Sequence, residues 1–249
     1  MPRVGDTLVI RMDQSALVSG SRFVARDAGD GGSRTEMQVY SHVVVLGRDA
    51  SGTILDAVTD SVALRSSDDR ARVANARTQQ QLRGQRVRMR IAPDGGTTIL
   101  TGENRSARAL ADAAALIPAT FPTEPIVPGQ HWTREMTIPV GATAMRMSMG
   151  GLLRADFSLD STSRGGQLAF VSVHGVFRPT EATAHTASGA LENGSVSGSL
   201  VIDRVRGWLA ESQVTVIAQS FMPPLAGLAG SGMTLQIVIQ QRTRLVDRK

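Results

Sequence analysis

Hydrophobic and polar residues alternate with a period of two in segments that recur along the whole chain. Clear examples are residues 7–13, 86–91 and 235–240, and in the second of these every polar position is an arginine. Such alternation sends apolar side chains to one face of a β-strand and polar side chains to the other. An antiparallel sheet with one buried and one solvated face produces this pattern. The sequence therefore predicts a mainly β protein.

Turn-forming residues separate these strands at regular intervals. The predicted hairpin turns contain Gly, Asn, Asp or Pro and lie at residues 48–52, 93–96, 163–166, 192–194 and 203–207. Short turns of this composition connect neighbouring antiparallel strands. The pattern predicts one large curved antiparallel sheet, a half-barrel-like meander.

One segment has helical periodicity instead. Between residues 105 and 117, Ala and Leu recur three and four positions apart, and Asn104 or Ser106 can cap the start. The segment 118–128 contains four prolines and is expected to run extended. We expect one short helix packed against the sheet. We also expect a single domain, 1–249, whose β-rich halves 1–104 and 129–249 are joined by the helix and the Pro-rich crossover.

Composition excludes several kinds of chemistry. The 249 residues include no cysteine, which excludes disulfides, zinc–thiolate sites and thiol nucleophiles. Lys249 is the only lysine among 27 basic residues, so 27 − 1 = 26 are arginines. The use of arginine without lysine indicates a GC-rich genome. Because the arginines are spread along the chain, the net charge of +5 does not indicate a nucleic-acid site.

No pattern in the sequence indicates an enzyme. The four histidines (His42, His131, His174 and His185) lack the short spacing of metal ligands. The segment 194–198 has valine where a nucleophile elbow needs serine, and no glycine-rich phosphate loop is present. We expect no catalytic residue, metal or cofactor. A hydrolase with an unrecognised site is an alternative, for which His131 and His174 are the candidates.

Three methionines form the most distinctive cluster of side chains. Met145, Met147 and Met149 stand at alternate positions, which places all three on one face of a strand. Thioethers can bind Cu(I), but three methionines also form an adaptable apolar surface. The sequence favours an apolar lining, and the copper site is the alternative.

A second unusual segment, residues 221–230, is too apolar for an ordinary loop and too rich in Gly and Pro for a strand. It is interpreted either as a plug at an open end of the sheet or as a lid over a hydrophobic groove. The predicted ligand-binding residues are Met145, Met147, Met149, Phe221, Met222, Leu225 and Leu228.

The segment Phe121-Pro122-x-x-Pro125-Ile126-Val127-x-Gly129-x-x-Trp132 resembles a family of uncharacterised exported bacterial proteins and lipoproteins. Those proteins share a mid-chain Pro-Val-x-x-Gly-x-x-Trp motif and a later strand, Asp, Gly turn and strand, which Asp203 and Gly207 match. The resemblance implies a periplasmic or exported protein whose signal peptide or lipoprotein anchor has been removed, although a cytoplasmic protein stays an alternative. It supplies no catalytic residues.

The predicted architecture is also similar to that of periplasmic lipoprotein carriers, which use several helices as a lid where one is predicted here. That similarity of fold implies a groove for an apolar ligand. The leading hypothesis is a non-enzymatic cell-envelope protein that binds a lipid, an acyl chain or a lipoprotein. The alternative is a structural adaptor that binds an anionic envelope component or the membrane surface through its arginine-rich strands (Arg86, Arg88, Arg90, Arg242 and Arg244).

Overall fold

The computed structural model describes residues 3–20, 32–102, 121–122, 124–138, 151–178, 190–222 and 233–246. Within these ranges the chain forms eleven β-strands and one α-helix. They are β1 (Thr7–Gly20), β2 (Gly32–Asp49), β3 (Gly52–Ser66), α1 (Arg72–Leu82), β4 (Arg86–Ile91), β5 (Thr97–Gly102), β6 (His131–Ile138), β7 (Gly151–Thr162), β8 (Leu168–Arg178), β9 (Ala190–Asp203), β10 (Trp208–Met222) and β11 (Met233–Val246).

All eleven strands belong to one open antiparallel sheet. Their order is β5-β4-β3-β2-β1-β11-β10-β9-β8-β7-β6, so two meanders meet where β1 pairs with β11. That pairing runs from Val9 opposite Val246 to Gly20 opposite Leu235. Strands β5 and β6 stand at the two edges of the described sheet. The predicted fold class, mainly β with an antiparallel sheet and one helix, is confirmed.

Four of the five predicted hairpin turns are confirmed, and they connect β2 to β3, β4 to β5, β7 to β8 and β9 to β10. In the turn between β9 and β10, Gly207 has a φ of 64°. Glycine is favoured there because this left-handed conformation is strained for residues with a side chain.

The predicted turn at residues 192–194 is wrong, because the segment lies inside β9. Gly194 pairs with Ala218 and with Phe177. A Cβ at Gly194 would lie 2.7 Å from the carbonyl oxygen of Ile217. The glycine is therefore explained by the close approach of the neighbouring strand and not by a turn.

The helix lies at a position that the periodicity did not predict. The predicted helix at 105–117 falls outside the described residues, whereas α1 occupies residues 72–82 between β3 and β4. Helix α1 has a weak apolar face, since Leu82 is its buried residue and Val73 is 75% exposed. A helix of this kind has little periodic signal in the sequence.

Helix α1 covers part of a strand edge. Only the Thr53–Val58 part of β3 pairs with β4. The second half of β3 therefore has no strand on that side among the described elements. There the Gln79 side-chain nitrogen donates a hydrogen bond to the carbonyl oxygen of Leu64 at 3.4 Å. The Gly84 amide also donates to the carbonyl oxygen of Thr59 at 2.8 Å. Such cover prevents an edge strand from pairing with another chain.

Candidate functional site

The apolar face of the sheet contains the candidate site, and its two halves differ in their exposure to water. In the C-terminal half, strands β7 to β11 form one large buried cluster that also includes Ala16 of β1. Val173 and Ala218 are completely buried there, and Phe157 is 1% exposed. This half of the face is ordinary protein core, packed and shielded from solvent.

The N-terminal half of the same face is less completely shielded. It consists of two smaller clusters, here called together the N-terminal apolar surface, and each has a few buried residues surrounded by half-buried ones. The first cluster contains Met12, Met37 and Val39 with Val62 and Leu64. The second contains Val43, Val45 and Leu55 with Leu8, Ile10, Ala57, Met89, Ile91 and Trp208. This surface extends across β1 to β4, includes Trp208 at the start of β10, and keeps apolar side chains partly in contact with water.

Methionine contributes to this surface from three strands. Met12 and Met37 are buried at 4% and 5% exposure, and Met89 is half-buried. Unbranched thioether side chains adapt to irregular apolar partners. The strand patterns of the sequence already placed Met12 and Met89 on apolar faces. The sequence does not identify these methionines as one site, because only the fold brings the three strands that carry them together.

The predicted ligand-binding residues are mostly untested by the structure. Met145, Met147, Met149, Leu225 and Leu228 lie outside the described residues. Phe221 and Met222 are the last two residues of β10, where their backbones pair with Thr234 and Met233. Their assignment to a groove stays a prediction.

A row of polar side chains separates the N-terminal apolar surface from the core. Gln14 lies between Met12 and Ala16 on the apolar face of β1 and donates to the Gln241 side chain at 3.5 Å. The Gln241 amide donates in turn to the Thr243 hydroxyl, also at 3.5 Å, and Gln241 is only 6% exposed. Buried amides need hydrogen-bond partners, and a bond of 3.5 Å is weak. The side chains of this row can therefore exchange these long hydrogen bonds for shorter ones to a ligand.

In the mid-chain Trp motif, Phe121, Ile126 and Trp132 are half-buried, whereas Val127 is 60% exposed. The Trp132 ring stacks on Phe157 with the centroids 5.4 Å apart and the planes 9° from parallel. The Phe121 ring lies on the same indole, with the two ring centroids 6.4 Å apart. Ile126 packs against the C-terminal cluster. The motif therefore anchors the chain onto the end of the sheet at β6 and β7, which is a structural role.

The opposite face of the sheet is polar, and several of its arginines form ion pairs with acidic neighbours. Asp56 lies 3.3 Å from Arg86 and 3.9 Å from Arg88. Arg90 lies 3.3 Å from an oxygen of Asp49.

Arg242 shares this polar face and lies 2.7 Å from Glu211. Strands β4 and β11 are separated by β3, β2 and β1, so the two predicted arginine groups do not form one patch. Local pairing reduces the positive potential on which the adaptor hypothesis depends.

At the centre of the polar face, Asp13 accepts hydrogen bonds at one oxygen, Oδ1, from both Arg11 and Gln38. The Arg11 contacts are 3.0 and 2.8 Å long, and the Gln38 contact is 2.8 Å. Burial raises the pKa of Asp13, but these hydrogen bonds outweigh it and the net pKa lies below its ordinary value. The Asp13 carboxyl is therefore ionised near neutral pH and serves as a fixed acceptor.

The histidines do not assemble into a metal site within the described residues, where no group of three potential acidic or histidine ligands is found. His42 Nδ1 lies 2.6 Å from Asp60 Oδ1 at the protein surface. His131 and His174 lie on β6 and β8. None of the described helices is long and apolar enough to cross a membrane.

Comparison with known proteins shows a likeness of structure. No protein-family description and no curated protein sequence matches this chain. A solved structure of lipovitellin, reported for its lipid–protein interactions, superimposes with a TM-score of 0.56 at 9% sequence identity. The match covers 98% of this chain but 25% of the lipovitellin chain, so this protein spans about a quarter of its length. At that identity the likeness concerns the fold alone.

Proposed function

We propose that this protein binds an apolar or amphipathic ligand, such as a lipid, an acyl chain or a lipoprotein, and that it does so without catalysis in the bacterial cell envelope. The N-terminal apolar surface is the proposed site. The observation that carries the proposal is the contrast between the two halves of one sheet face. The C-terminal half is closed core, whereas the N-terminal half keeps half-buried Leu, Ile, Val and Met side chains on β1, β3 and β4.

The physical argument is the free energy of removing such a surface from water. Contiguous apolar surface that stays partly exposed on a soluble protein commonly marks a binding site. Each methylene group of an acyl chain that becomes buried there contributes about 0.8 kcal/mol. The polar row at Gln14, Gln241 and Thr243 borders the surface and offers hydrogen bonds to the polar part of an amphipathic ligand.

The likeness to lipovitellin supports the same proposal at the level of architecture. Its structure was reported for lipid–protein interactions, and almost the whole of the present chain superimposes on part of it. The envelope location rests on the Trp motif resemblance. Fractionation of cells that express the protein from its native gene tests it, and recovery only from the cytoplasm would remove the envelope from the proposal.

Ligand binding is tested by native mass spectrometry with a matched pair of variants. Val62 is half-buried on the apolar face of β3, and its neighbour Ser61 is exposed on the polar face. The protein is incubated with oleic acid and, separately, with dioleoyl phosphatidylglycerol. We expect adducts with the wild type and with Ser61→Glu, and at least a tenfold loss with Val62→Glu, since a charge in an apolar site costs several kcal/mol.

A clean unliganded mass for the wild type with both lipids would contradict the proposal. So would equal binding by the two variants, because the ligand would then lie elsewhere. The adaptor alternative predicts instead that binding to anionic vesicles falls steeply between low and moderate salt.

A further inference from the structure

A depression of about 440 Å³ lies in the middle of the sheet. Most of its lining residues belong to the polar face, and Gln14, Met37 and Gln241 of the apolar face line it as well. It lies across β3, β2, β1, β11 and β10. Its lining includes two short side chains, Ser15 on β1 and Ala63 on β3, among longer ones such as Arg65. A concavity of this volume falls within the range of small-molecule sites, roughly 300–1,000 Å³.

Strand register fixes the hydrogen-bonding groups around the depression. One cross-strand row contains Gln38, Asp13, Arg242 and Gln213 in that order. Cross-strand neighbours on one face have Cβ atoms about 5 Å apart, so the row presents alternating polar groups at nearly constant spacing. Asp13 is held by Arg11 and Gln38, and Arg242 by Glu211, so two of these groups are fixed before any ligand arrives.

The next row contains Glu36, Ser15 and Gln240 in register. Among the described residues the side-chain amides of Gln213 and Gln240 have no hydrogen-bond partner within the protein. Both face the depression. An amide side chain offers both a donor and an acceptor, so this pair can bind a group that also does both.

The charges around the depression cancel. Two carboxylates (Asp13 and Glu36) and two guanidinium groups (Arg65 and Arg242) line it, which gives 2 − 2 = 0. The site therefore gives no net electrostatic preference to an anion or to a cation. What it offers is a dense set of donors beside acceptors. The hydroxyl groups of a sugar, each a donor and an acceptor, match that set.

We propose that the depression binds a neutral carbohydrate. Asp13 and Glu36 accept hydrogen bonds from its hydroxyl groups, Arg65 and Arg242 donate to its oxygens, and Gln213 and Gln240 do both. These sugar-binding groups lie on the polar face, whereas the proposed apolar-ligand site lies on the other face. Met37, Gln14 and Gln241 line the depression and also belong to or border the N-terminal apolar surface.

The test is titration calorimetry with a panel of neutral oligosaccharides, three to six units long, of glucose, galactose, mannose and N-acetylglucosamine. The double variant Gln213→Ala/Gln240→Ala removes the two unpaired amides, both of which are exposed. The matched control is Gln219→Ala/Gln236→Ala, a cross-strand pair on the same two strands and the same face but outside the depression.

We expect one member of the panel to bind with a Kd on the order of 1 mM or tighter. Its affinity should fall about tenfold in the depression variant and stay unchanged in the control. The affinity should also be independent of salt, because the ligand is neutral.

Three results would overturn the proposal. The first is no binding by any panel member. The second is an equal loss of affinity in the two double variants, which would place the sugar outside the depression. The third, from a separate titration with oligogalacturonate, is binding of this acidic oligosaccharide but of no panel member, with an affinity that falls as salt rises.

Discussion

Individual glycines inside strands β8 and β9 decide how closely neighbouring strands approach. A Cβ at Gly198 would lie 2.3 Å from the carbonyl oxygen of Gln213 and 3.0 Å from the Cα of Val214. A Cβ at Gly175 would lie 2.9 Å from the carbonyl oxygen of Arg154. These contacts are with backbone, which cannot rotate away. The absence of a side chain at these positions is therefore a requirement of the sheet.

Substitution of Gly198 by alanine is expected to lower the free energy of unfolding by about 3 kcal/mol, because strand β10 must move to admit the methyl group. Urea unfolding monitored by circular dichroism measures the change. Gly47 is the matched control, since it also lies in a strand and its Cβ would meet nothing within 4 Å. Gly47→Ala should change stability by less than about 0.5 kcal/mol. Equal effects at the two sites would contradict this account.

At the scale of the element, helix α1 is held to the sheet by few contacts. Leu82 is its buried residue, and Gln79 supplies the hydrogen bond to β3. An isolated helix of 11 residues is marginal in water, so its stability depends on this packing. The helix and the β3 edge that it covers should therefore open together.

Leu82→Asp is expected to release α1, because it places a carboxylate in a buried site at a cost on the order of 3 kcal/mol. Hydrogen exchange followed by mass spectrometry should then show faster exchange in residues 59–66 of β3. Exchange in β7 and β8 should not change, since they lie in the other meander. Val73→Asp, on the exposed side of α1, is the control and should leave both regions as they are. Fast exchange of residues 59–66 in the control would show that the edge opens without loss of the Leu82 contact.

At the scale of the whole molecule, the seam between β1 and β11 determines whether the two meanders behave as one unit. Twelve residue pairs form the seam, and Ala16 of β1 belongs to the core cluster of the C-terminal strands. The single domain expected from the sequence stays a prediction, and this extensive pairing favours it.

The two tryptophans of the chain provide a direct measurement. Trp132 packs on the C-terminal core, and Trp208 packs on the N-terminal apolar surface. In Trp132→Phe the remaining Trp208 lies on β10 and reports packing against the N-terminal apolar surface. In Trp208→Phe the remaining Trp132 reports the C-terminal core. We expect the two fluorescence transitions in urea to coincide with the loss of circular dichroism within each variant, as in two-state unfolding. A tryptophan transition that is separate from the circular dichroism transition would show two independently unfolding halves.

The sequence by itself determined the features that depend on residues close together in the chain. Alternation with a period of two established the strands and their apolar faces, because successive side chains of a strand point to opposite sides. The Gly- and Asp-containing turns located four hairpins. The error at Gly194 shows the limit of this reasoning, since a glycine needed for close strand packing has the same local appearance as a glycine needed for a turn.

Only the tertiary structure decided the long-range features. The pairing of β1 with β11 joins residues more than 200 positions apart, and no local pattern specifies it. The same pairing decides which part of the apolar face becomes core and which part stays partly exposed, because each strand has the same alternation in either half. It also brings Asp13, Arg242 and Gln213 into one row. Both proposed sites are therefore products of strand order, which depends on the free energy of the whole sheet.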